Sequence, residues 1–215
     1  MMKFNEKMLD LYLVAGTQNV HGDCDLFLKQ IEIACQTGIS AFQYREKGNG
    51  SLAGAARVSM GRKVRDLVKK YQIPFIVDDD FQLAKALEAD GIHVGQSDIT
   101  VEKISANADN MFIGLSISNE KELAESQRLS RVSYLGVGPI FPTRSKNDAN
   151  PPIGIDRLAK IGQSSALPIV AIGGISTQNA KQVRQTGLAG VAIISAIMQS
   201  SNMAQTIKSL KGELL

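Results

Sequence analysis

Eight short apolar runs, each followed by a longer stretch of mixed polarity, succeed one another along the sequence. The runs span Leu11–Val14, Ala41–Gln43, Phe75–Val77, Gly91–Val94, Phe112–Leu115, Tyr134–Val137, Ile169–Ala171 and Gly190–Ile194. They carry almost no charge and many β-branched side chains, which is typical of parallel strands buried on both faces. Eight such strands alternating with helices predict an α/β protein with the (β/α)8 TIM-barrel fold, for which 215 residues is a compact length. We expect residues 1–215 to form a single barrel domain.

The stretches between the runs carry the periodicity and the end signals of helices. We predict helices over Asp25–Thr37, Ser51–Tyr71, Asn119–Leu129 and Thr177–Thr186. Ser51 is expected to cap the second helix, and Gly187 to end the last. The structural alternative is a doubly wound sheet, which usually has a glycine fingerprint after its first strand. The segment AGTQNV, residues 15–20, lacks that fingerprint.

Composition and charge exclude several classes of protein. Hydrophobic residues make up 44% and charged residues 21%, which excludes a disordered, collagen-like or coiled-coil chain. A net charge of only +3 and few aromatic residues argue against a nucleic-acid binder. The longest nearly apolar run, Gly190–Met198, is too short to span a membrane, and Glu6 and Asp10 interrupt the N-terminal apolar stretch. Cys24 and Cys35 suit reduced thiols, so we expect a soluble cytoplasmic protein without membrane or nucleic-acid partners; a homo-oligomer stays open.

Polar residues gather where the predicted strands end, which is the face of such a barrel that carries the chemistry. After the second strand, Gln43, Arg45 and Lys47 alternate, so an extended backbone would point them to one side. Two cations and an amide on one face suit a phosphate or pyrophosphate. The alternative, a solvated loop with surface charges, stays open from these residues alone.

Carboxylates follow the third and fourth strands. Asp78, Asp79 and Asp80 are consecutive and would repel one another without a cation among them, although Asp80 can instead cap the next helix. Asp98 follows the neighbouring strand, so Asp79 and Asp98 are placed to share a Mg²⁺ ion whose shell phosphate oxygens and water complete. His93 lies within the fourth strand, and we expect it to line the barrel rather than to bind a metal.

The later strands end in residues suited to anions. Thr143, Ser145 and Lys146 follow the sixth strand and open the one long loop, residues 146–154. Gly174 after the seventh strand and Ser195 after the eighth resemble the phosphate cradle that barrels build from backbone N–H groups. Two anion sites around one mouth indicate two phosphorylated small-molecule reactants.

Seven short motifs occur in order, one at each strand from the second to the eighth: QYREK, VDDD, DGIHVGQSD, GLSIS, GVGPIFPTRSK, AIGGI and GVAIISAI. Together they resemble the thiamine phosphate synthase family, from about Leu11 to the C-terminus. The resemblance implies a Mg²⁺-dependent transferase that joins 4-amino-2-methyl-5-(diphosphooxymethyl)pyrimidine to 4-methyl-5-(2-phosphoethyl)thiazole. The products would be thiamine phosphate and pyrophosphate, formed by departure of pyrophosphate and attack by the thiazole nitrogen.

The resemblance also assigns roles to residues. The pyrimidine diphosphate would be held by the segment of Gln43, Tyr44, Arg45, Glu46 and Lys47, together with Asp78, Ser116 and Lys146. The thiazole phosphate would be held by Thr143, Arg144 and Ser145 and by a backbone cradle at Gly174, Ile194 and Ser195. Asp79 and Asp98 would bind Mg²⁺. Arg45, Lys47 and Lys146 would act in catalysis by stabilising the charge on the departing pyrophosphate.

One residue departs from the family pattern. Asp78 stands where the family usually has Asn, and a carboxylate cannot donate a hydrogen bond to pyrophosphate. Asp78 is expected either to face Mg²⁺ or to be neutralised by Lys146.

Three other functions use the same kind of barrel. A thiazole tautomerase would not need the full set of cations and metal ligands. A non-catalytic thiamine phosphate-binding paralogue could keep the cradle and lose the cations. A phosphosugar isomerase would need a carboxylate or His as a base. The cations present here favour the synthase.

Overall fold

Eight parallel strands form a closed barrel in the computed structural model, which describes residues 2–96, 101, 104, 108, 111–143, 145 and 150–213. The strands are β1 (Leu11–Ala15), β2 (Ala41–Tyr44), β3 (Phe75–Asp78), β4 (Gly91–Val94), β5 (Phe112–Ile117), β6 (Val132–Val137), β7 (Ile169–Ile172) and β8 (Gly190–Ile193). Each strand pairs with the next in the chain, and β8 pairs with β1. The barrel fold predicted from the sequence is confirmed.

Helices cover the outside of the barrel. The described α-helices are α1 (Cys24–Thr37), α2 (Gly54–Lys70), α3 (Phe81–Ala86), α4 (Glu120–Ser126), α5 (Gly154–Ser164), α6 (Ala180–Arg184), α7 (Ser195–Met198) and α8 (Met203–Lys211). Short 3₁₀ helices span Glu6–Leu9 and Thr17–Val20. Within the described ranges, none of the helices has the length and apolar character needed to cross a bilayer.

Side-chain caps explain where several helices begin. The carboxylates of Asp23 and Asp80 accept hydrogen bonds from the N–H groups of Leu26 and Leu83, and Asn119 caps α4 in the same way. The cap predicted at Ser51 is wrong: α2 begins three residues later, at Gly54, because the hydroxyl of Ser51 instead donates to the carbonyl of Gly48.

Alternation along the strands separates two apolar regions. Side chains such as Leu11 and Leu13 face the helices and form the larger core. Tyr12, Val14 and their equivalents on other strands fill the barrel interior. Near the carboxyl ends of β2 to β5 the inward positions become polar: they are Gln43, Asp78, His93 and Ser116. The apolar interior therefore ends in a polar layer on this side of the barrel mouth.

Candidate active site

A cavity of about 340 Å³ opens at the carboxyl ends of the strands, a size suited to a small ligand. The predicted site residues that line it are Arg45, Lys47, Asp78, Asp79, Ser116, Thr143, Ser145, Gly174, Ile194 and Ser195. They come from six of the eight strand ends, so the closure of the barrel brings together residues that are far apart in sequence.

Cations and carboxylates meet on the β2–β3 side of the cavity. Nε of Arg45 lies 3.3 Å and Nζ of Lys47 lies 3.1 Å from Oδ2 of Asp78. Lys47 also pairs with the carboxylate of Asp79. Burial lowers the pKa of Lys47, but the two carboxylates outweigh it and raise that pKa above its ordinary value. Lys47 is therefore held as a cation between two carboxylates.

The backbone fixes this cluster in place. Arg45 is the first residue after β2, and its N–H donates to the carbonyl of Ala15 at 2.9 Å. Asp79 has a left-handed φ of 55°, a conformation that Asp tolerates better than most side chains. Its N–H donates to the carbonyl of His93 at 2.8 Å, and its Oδ1 accepts from the N–H of Gly95 at 3.2 Å. The sharp turn after β3 thus aims Asp79 at Lys47.

The third carboxylate of the run has a different environment. Asp80 caps α3, as expected, and its Oδ2 lies 2.9 Å from Nη1 of Arg57. A cation consequently stands beside each of the three consecutive carboxylates. For Asp78 the described cations are Arg45 and Lys47, and the expected Lys146 lies outside the described residues.

The opposite side of the cavity is made of hydroxyls and a glycine turn. Gly173 and Gly174 have left-handed φ values of 100° and 66°, and a Cβ at residue 174 would lie 2.6 Å from the carbonyl oxygen of Pro142. The amide of Asn179 donates to the carbonyl of Gly174 at 3.0 Å and so fixes the turn. Glycine is thus required here by both conformation and space.

Two strand ends are linked by hydroxyls on this side. Ser145 donates to the hydroxyl of Ser195 at 3.2 Å, and its N–H donates to the hydroxyl of Thr143 at 3.2 Å. These groups, with the half-buried backbone around Gly174, offer neutral hydrogen bonds where the β2–β3 side offers charge. The cavity therefore has two polar sides of different character.

Three residues of the predicted QYREK site do not line the cavity. Gln43 is buried beneath it and donates to the hydroxyl of Tyr12 at 2.9 Å. Tyr44 faces outward and donates to the carbonyl of Arg57, and burial raises its pKa. Glu46 is buried and accepts hydrogen bonds from other loops. The side chains that reach the cavity from this motif are Arg45 and Lys47.

Three predicted site residues, Asp98, Arg144 and Lys146, lie outside the described residues, as do residues 147–149 of the long loop. Within the described part, no group of three or more His, Cys, Asp or Glu is placed to hold a metal. The donor set that does converge is the pair Asp78 and Asp79, with a lysine cation between them. A position that already holds one positive charge fits a divalent cation whose remaining ligands come from a bound diphosphate.

Several cavity residues were not predicted as ligand contacts. His93 lines the barrel, as expected, but it also reaches the cavity wall. Gln96, Ser118, Glu122 and Asn150 line the rim as well. Gln96 and Ser118 closely follow strands, so their positions were the available signal, whereas Glu122 lies in α4 and Asn150 in the long loop.

Comparisons with known proteins identify the family of this chain. A family profile described as thiamine monophosphate synthase matches residues 11–197. The chain belongs to the thiamine monophosphate synthase family. It is 47% identical over 211 residues to a thiamine-phosphate synthase of Limosilactobacillus reuteri, covering 98% of each chain. It is 46% identical over 210 residues to that of Oceanobacillus iheyensis, covering 97% of this chain and 100% of the relative.

A solved structure extends the comparison to three dimensions. The thiamine phosphate pyrophosphorylase from Pyrococcus furiosus superposes with a TM-score of 0.83 at 32% identity, covering 98% of each chain. Membership of the thiamine monophosphate synthase family thus rests on sequence and on fold over nearly the same length. The resemblance seen in the motifs is confirmed.

Proposed function

We propose that this chain condenses 4-amino-2-methyl-5-(diphosphooxymethyl)pyrimidine with 4-methyl-5-(2-phosphoethyl)thiazole to give thiamine phosphate and pyrophosphate. The observation that carries the proposal is one cavity with two unlike polar sides. One side holds Arg45 and Lys47, and the other holds hydroxyls and the Gly174 turn. A diphosphate suits the charged side and a phosphate monoester suits the neutral side, so both reactants fit around one reaction centre.

Arg45 and Lys47 act on the leaving group. The bond between the pyrimidine methylene carbon and the diphosphate oxygen breaks, and both electrons leave with pyrophosphate. The two cations stabilise the charge that develops there. Asp78 holds both cations at the cavity wall before substrate arrives, so both are close to the place where the charge develops.

A Mg²⁺ ion would be held by Asp79, with Asp98 as its proposed second ligand and Asp78 next to it. When bound, Mg²⁺ supplies positive charge to the diphosphate oxygens. Lys47 must then move from Asp79 toward the diphosphate, because one carboxylate oxygen cannot serve both partners in the same geometry. Lys146 is proposed to approach the pyrophosphate from the long loop.

The neutral side holds the nucleophile. Ser145, Ser195 and the backbone at Gly174 and Ile194 bind the thiazole phosphate, with Thr143 and Arg144 beside them, and orient the ring nitrogen toward the carbon that lost pyrophosphate. The nitrogen lone pair forms the new C–N bond, and no proton is transferred. The reaction therefore needs no general base.

The direct test is to incubate the purified chain with both substrates and MgCl₂. We expect thiamine phosphate and pyrophosphate in equal amounts, and no product when either substrate is omitted or when EDTA is added. Arg45→Gln should lower kcat by about 100-fold, the size typical of losing one transition-state hydrogen-bond donor. Arg62→Gln, at an exposed position of α2, is the matched control and should keep wild-type activity.

Two outcomes would contradict the proposal. One is the absence of product from the wild-type chain under these conditions. The other is conversion of one thiazole phosphate isomer into another without use of the pyrimidine, which would identify a tautomerase.

A further inference from the structure

A chain of hydrogen bonds crosses the barrel interior and ends at the cavity. Gln43 donates through Nε2 to the hydroxyl of Tyr12 at 2.9 Å, and the hydroxyls of Tyr12 and Tyr134 lie 3.0 Å apart. The Tyr134 hydroxyl lies 3.0 Å from Nδ1 of His93, whose Nε2 lies 2.9 Å from the hydroxyl of Ser116. The first four residues are buried, and Ser116 lines the cavity.

The direction of one bond in this chain sets the direction of the next, because each hydroxyl carries a single proton. Tyr12 accepts from Gln43, so its own proton goes to Tyr134, and Tyr134 donates to Nδ1 of His93. The imidazole proton is then on Nε2 and is donated to Ser116. Among the described residues none accepts the proton of Ser116, which is left to face the cavity.

Two strand glycines make room for the chain. A Cβ at Gly114 would lie 2.2 Å from the ring of Tyr134 and 2.5 Å from Nδ1 of His93, and one at Gly136 would lie 2.9 Å from Cε1 of His93. Neither glycine has a left-handed φ, so space for the two rings, rather than backbone freedom, requires them. Burial also raises the pKa of Tyr12 and of Tyr134, which keeps both hydroxyls protonated.

We propose that Gln43, Tyr12, Tyr134 and His93 form a directional relay that holds Ser116 as a hydrogen-bond donor toward an unprotonated ring nitrogen of the bound pyrimidine. The four are positioning residues, and only Ser116 touches the substrate. The inference rests on the proposed function for the identity of the ring.

The surroundings of Ser116 favour a ring over a phosphate. Its register neighbour on β6 is Gly136, and the nearby cavity wall includes Ile172 and Ala192, all without charge. The described cations of the cavity, Arg45 and Lys47, lie instead at the end of β2. A flat ring with one acceptor nitrogen matches this wall. A ring with C–H at that place would leave the proton of Ser116 unpaired, which makes the relay a determinant of specificity.

The relay itself can be tested without substrate. The chain has only two histidines, so ¹⁵N-histidine labelling gives two imidazoles, and His21→Gln assigns them. We expect neutral His93 to carry its proton on Nε2. Tyr134→Phe, which keeps the ring but removes the donor to Nδ1, should convert this single tautomer into a mixture. Tyr71→Phe, which removes a hydroxyl in contact with Gln36 at the surface, should leave it unchanged.

The contact with substrate can be tested by calorimetry with MgCl₂ and no thiazole. Two analogues of the pyrimidine diphosphate are used, each with one ring nitrogen replaced by C–H. One analogue should bind the wild type about 10-fold more weakly, as expected for one hydrogen bond. Ser116→Ala should bind the parent compound about 10-fold more weakly than the wild type does. It should bind that analogue as well as the wild type does, because the substitution and the loss of the ring nitrogen remove the same interaction.

Opposite results would overturn the inference. A proton on Nδ1 of His93 in the wild type, or no response to Tyr134→Phe, contradicts the relay. If Ser116→Ala weakens the binding of both analogues by the same factor as it weakens the binding of the parent compound, the ring contact is contradicted. If the parent compound does not bind, the ring contact and the proposed function fail together, while the tautomer measurement still decides on the relay.

Discussion

Residue 78 carries a carboxylate where the family usually has an amide, and its two ion pairs show what that carboxylate does in this chain. Arg45 and Lys47, the two cations proposed to stabilise pyrophosphate, both contact its Oδ2. A buried carboxylate between them offsets part of their charge. The same contacts keep both side chains in place. Asp78 therefore weakens the positive charge available to pyrophosphate, but it also keeps the two cations in position.

Asp78→Asn should tighten binding of the pyrimidine diphosphate at fixed Mg²⁺ by about 5-fold, or ~1 kcal/mol, because the cations are released and an amide can donate to the ligand. Calorimetry without thiazole measures this. A raised Mg²⁺ requirement with unchanged diphosphate affinity would show instead that Asp78 helps to hold the metal.

Lys47 stands between Asp78 and Asp79, where positive charge is favoured. Lys47→Met removes that resident cation, so Mg²⁺ alone should bind the substrate-free enzyme more tightly, while kcat falls because the leaving group loses a partner. Calorimetric titration with MgCl₂ and steady-state kinetics give the two readouts. Lys121→Met, at an exposed lysine of α4, serves as the control. Unchanged Mg²⁺ affinity would rule out competition between Lys47 and the metal.

At the scale of the element, one buried carboxylate links three loops. Glu46 accepts hydrogen bonds from the N–H and the hydroxyl of Thr17, at 2.9 and 2.8 Å, and from the N–H of Leu52 at 2.8 Å. The loop after β1, the end of β2 and the segment before α2 are thereby held together. Glu46 lies directly between Arg45 and Lys47, so this link sets the path of the backbone that carries them.

Glu46→Gln should lower the free energy of unfolding by about 2 kcal/mol, because an amide presents one acceptor where the carboxylate presents two. Urea unfolding measures the loss, and Glu125→Gln on the exposed face of α4 is the control. Wild-type stability combined with a raised KM for the pyrimidine would favour the substrate contact that the motif suggested.

Local patterns predicted the elements well and their ends less well. All eight strands were predicted, but the prediction for β5 stopped at Leu115 and the strand continues to Ile117, since Ser116 and Ile117 pair with Gly136 and Val137. Register with a neighbouring strand, rather than local polarity, decides where such a strand ends. The helix predicted from Asn119 is capped by that residue, whose Oδ1 accepts from the N–H of Glu122, whereas the hydroxyl of Ser51 donates to the carbonyl of Gly48 instead of capping α2.

Buried tyrosines in the interior should make the stability of the whole molecule sensitive to alkaline pH. Burial raises the pKa of Tyr12, Tyr44 and Tyr134 above the ordinary value of 10.0. Above pH ~10 the unfolded chain loses phenolic protons that the folded chain keeps, so the unfolded state binds fewer protons and stability falls as pH rises. Urea unfolding at pH 8 to 11, with tyrosinate absorbance, should show ionisation of these phenols together with unfolding. Their ionisation in a chain that remains folded would contradict this.

The pairing of β8 with β1 leads us to propose that residues 1–215 form one domain. Urea unfolding followed by far-ultraviolet circular dichroism and by tyrosine fluorescence should then give one coincident transition. Separate midpoints would indicate parts that unfold independently.

Sequence patterns placed the site at the strand ends but could not predict its internal contacts. Alternation indicates that Tyr12, Gln43, His93, Ser116 and Tyr134 face inward, but it does not say which side chains meet across the barrel. Those contacts depend on the registers of several strand pairs and on two glycines whose role is visible only once the rings are in place. The pairing of Asp78 with Arg45 and Lys47 was missed for the same reason.

The two sides of the cavity come from different halves of the chain, with Arg45, Lys47, Asp78 and Asp79 in the first and Ser145, Gly174 and Ser195 in the second. Under the proposed function, the second half of the chain binds the thiazole phosphate, whereas both halves bind the pyrimidine diphosphate, because Ser116 and Lys146 lie in the second half. Exchange of the first half between related enzymes would therefore change the affinity for the pyrimidine diphosphate and leave the thiazole phosphate site with the parent. Recombination near the middle of the gene could then adjust one of the two substrate sites without the other.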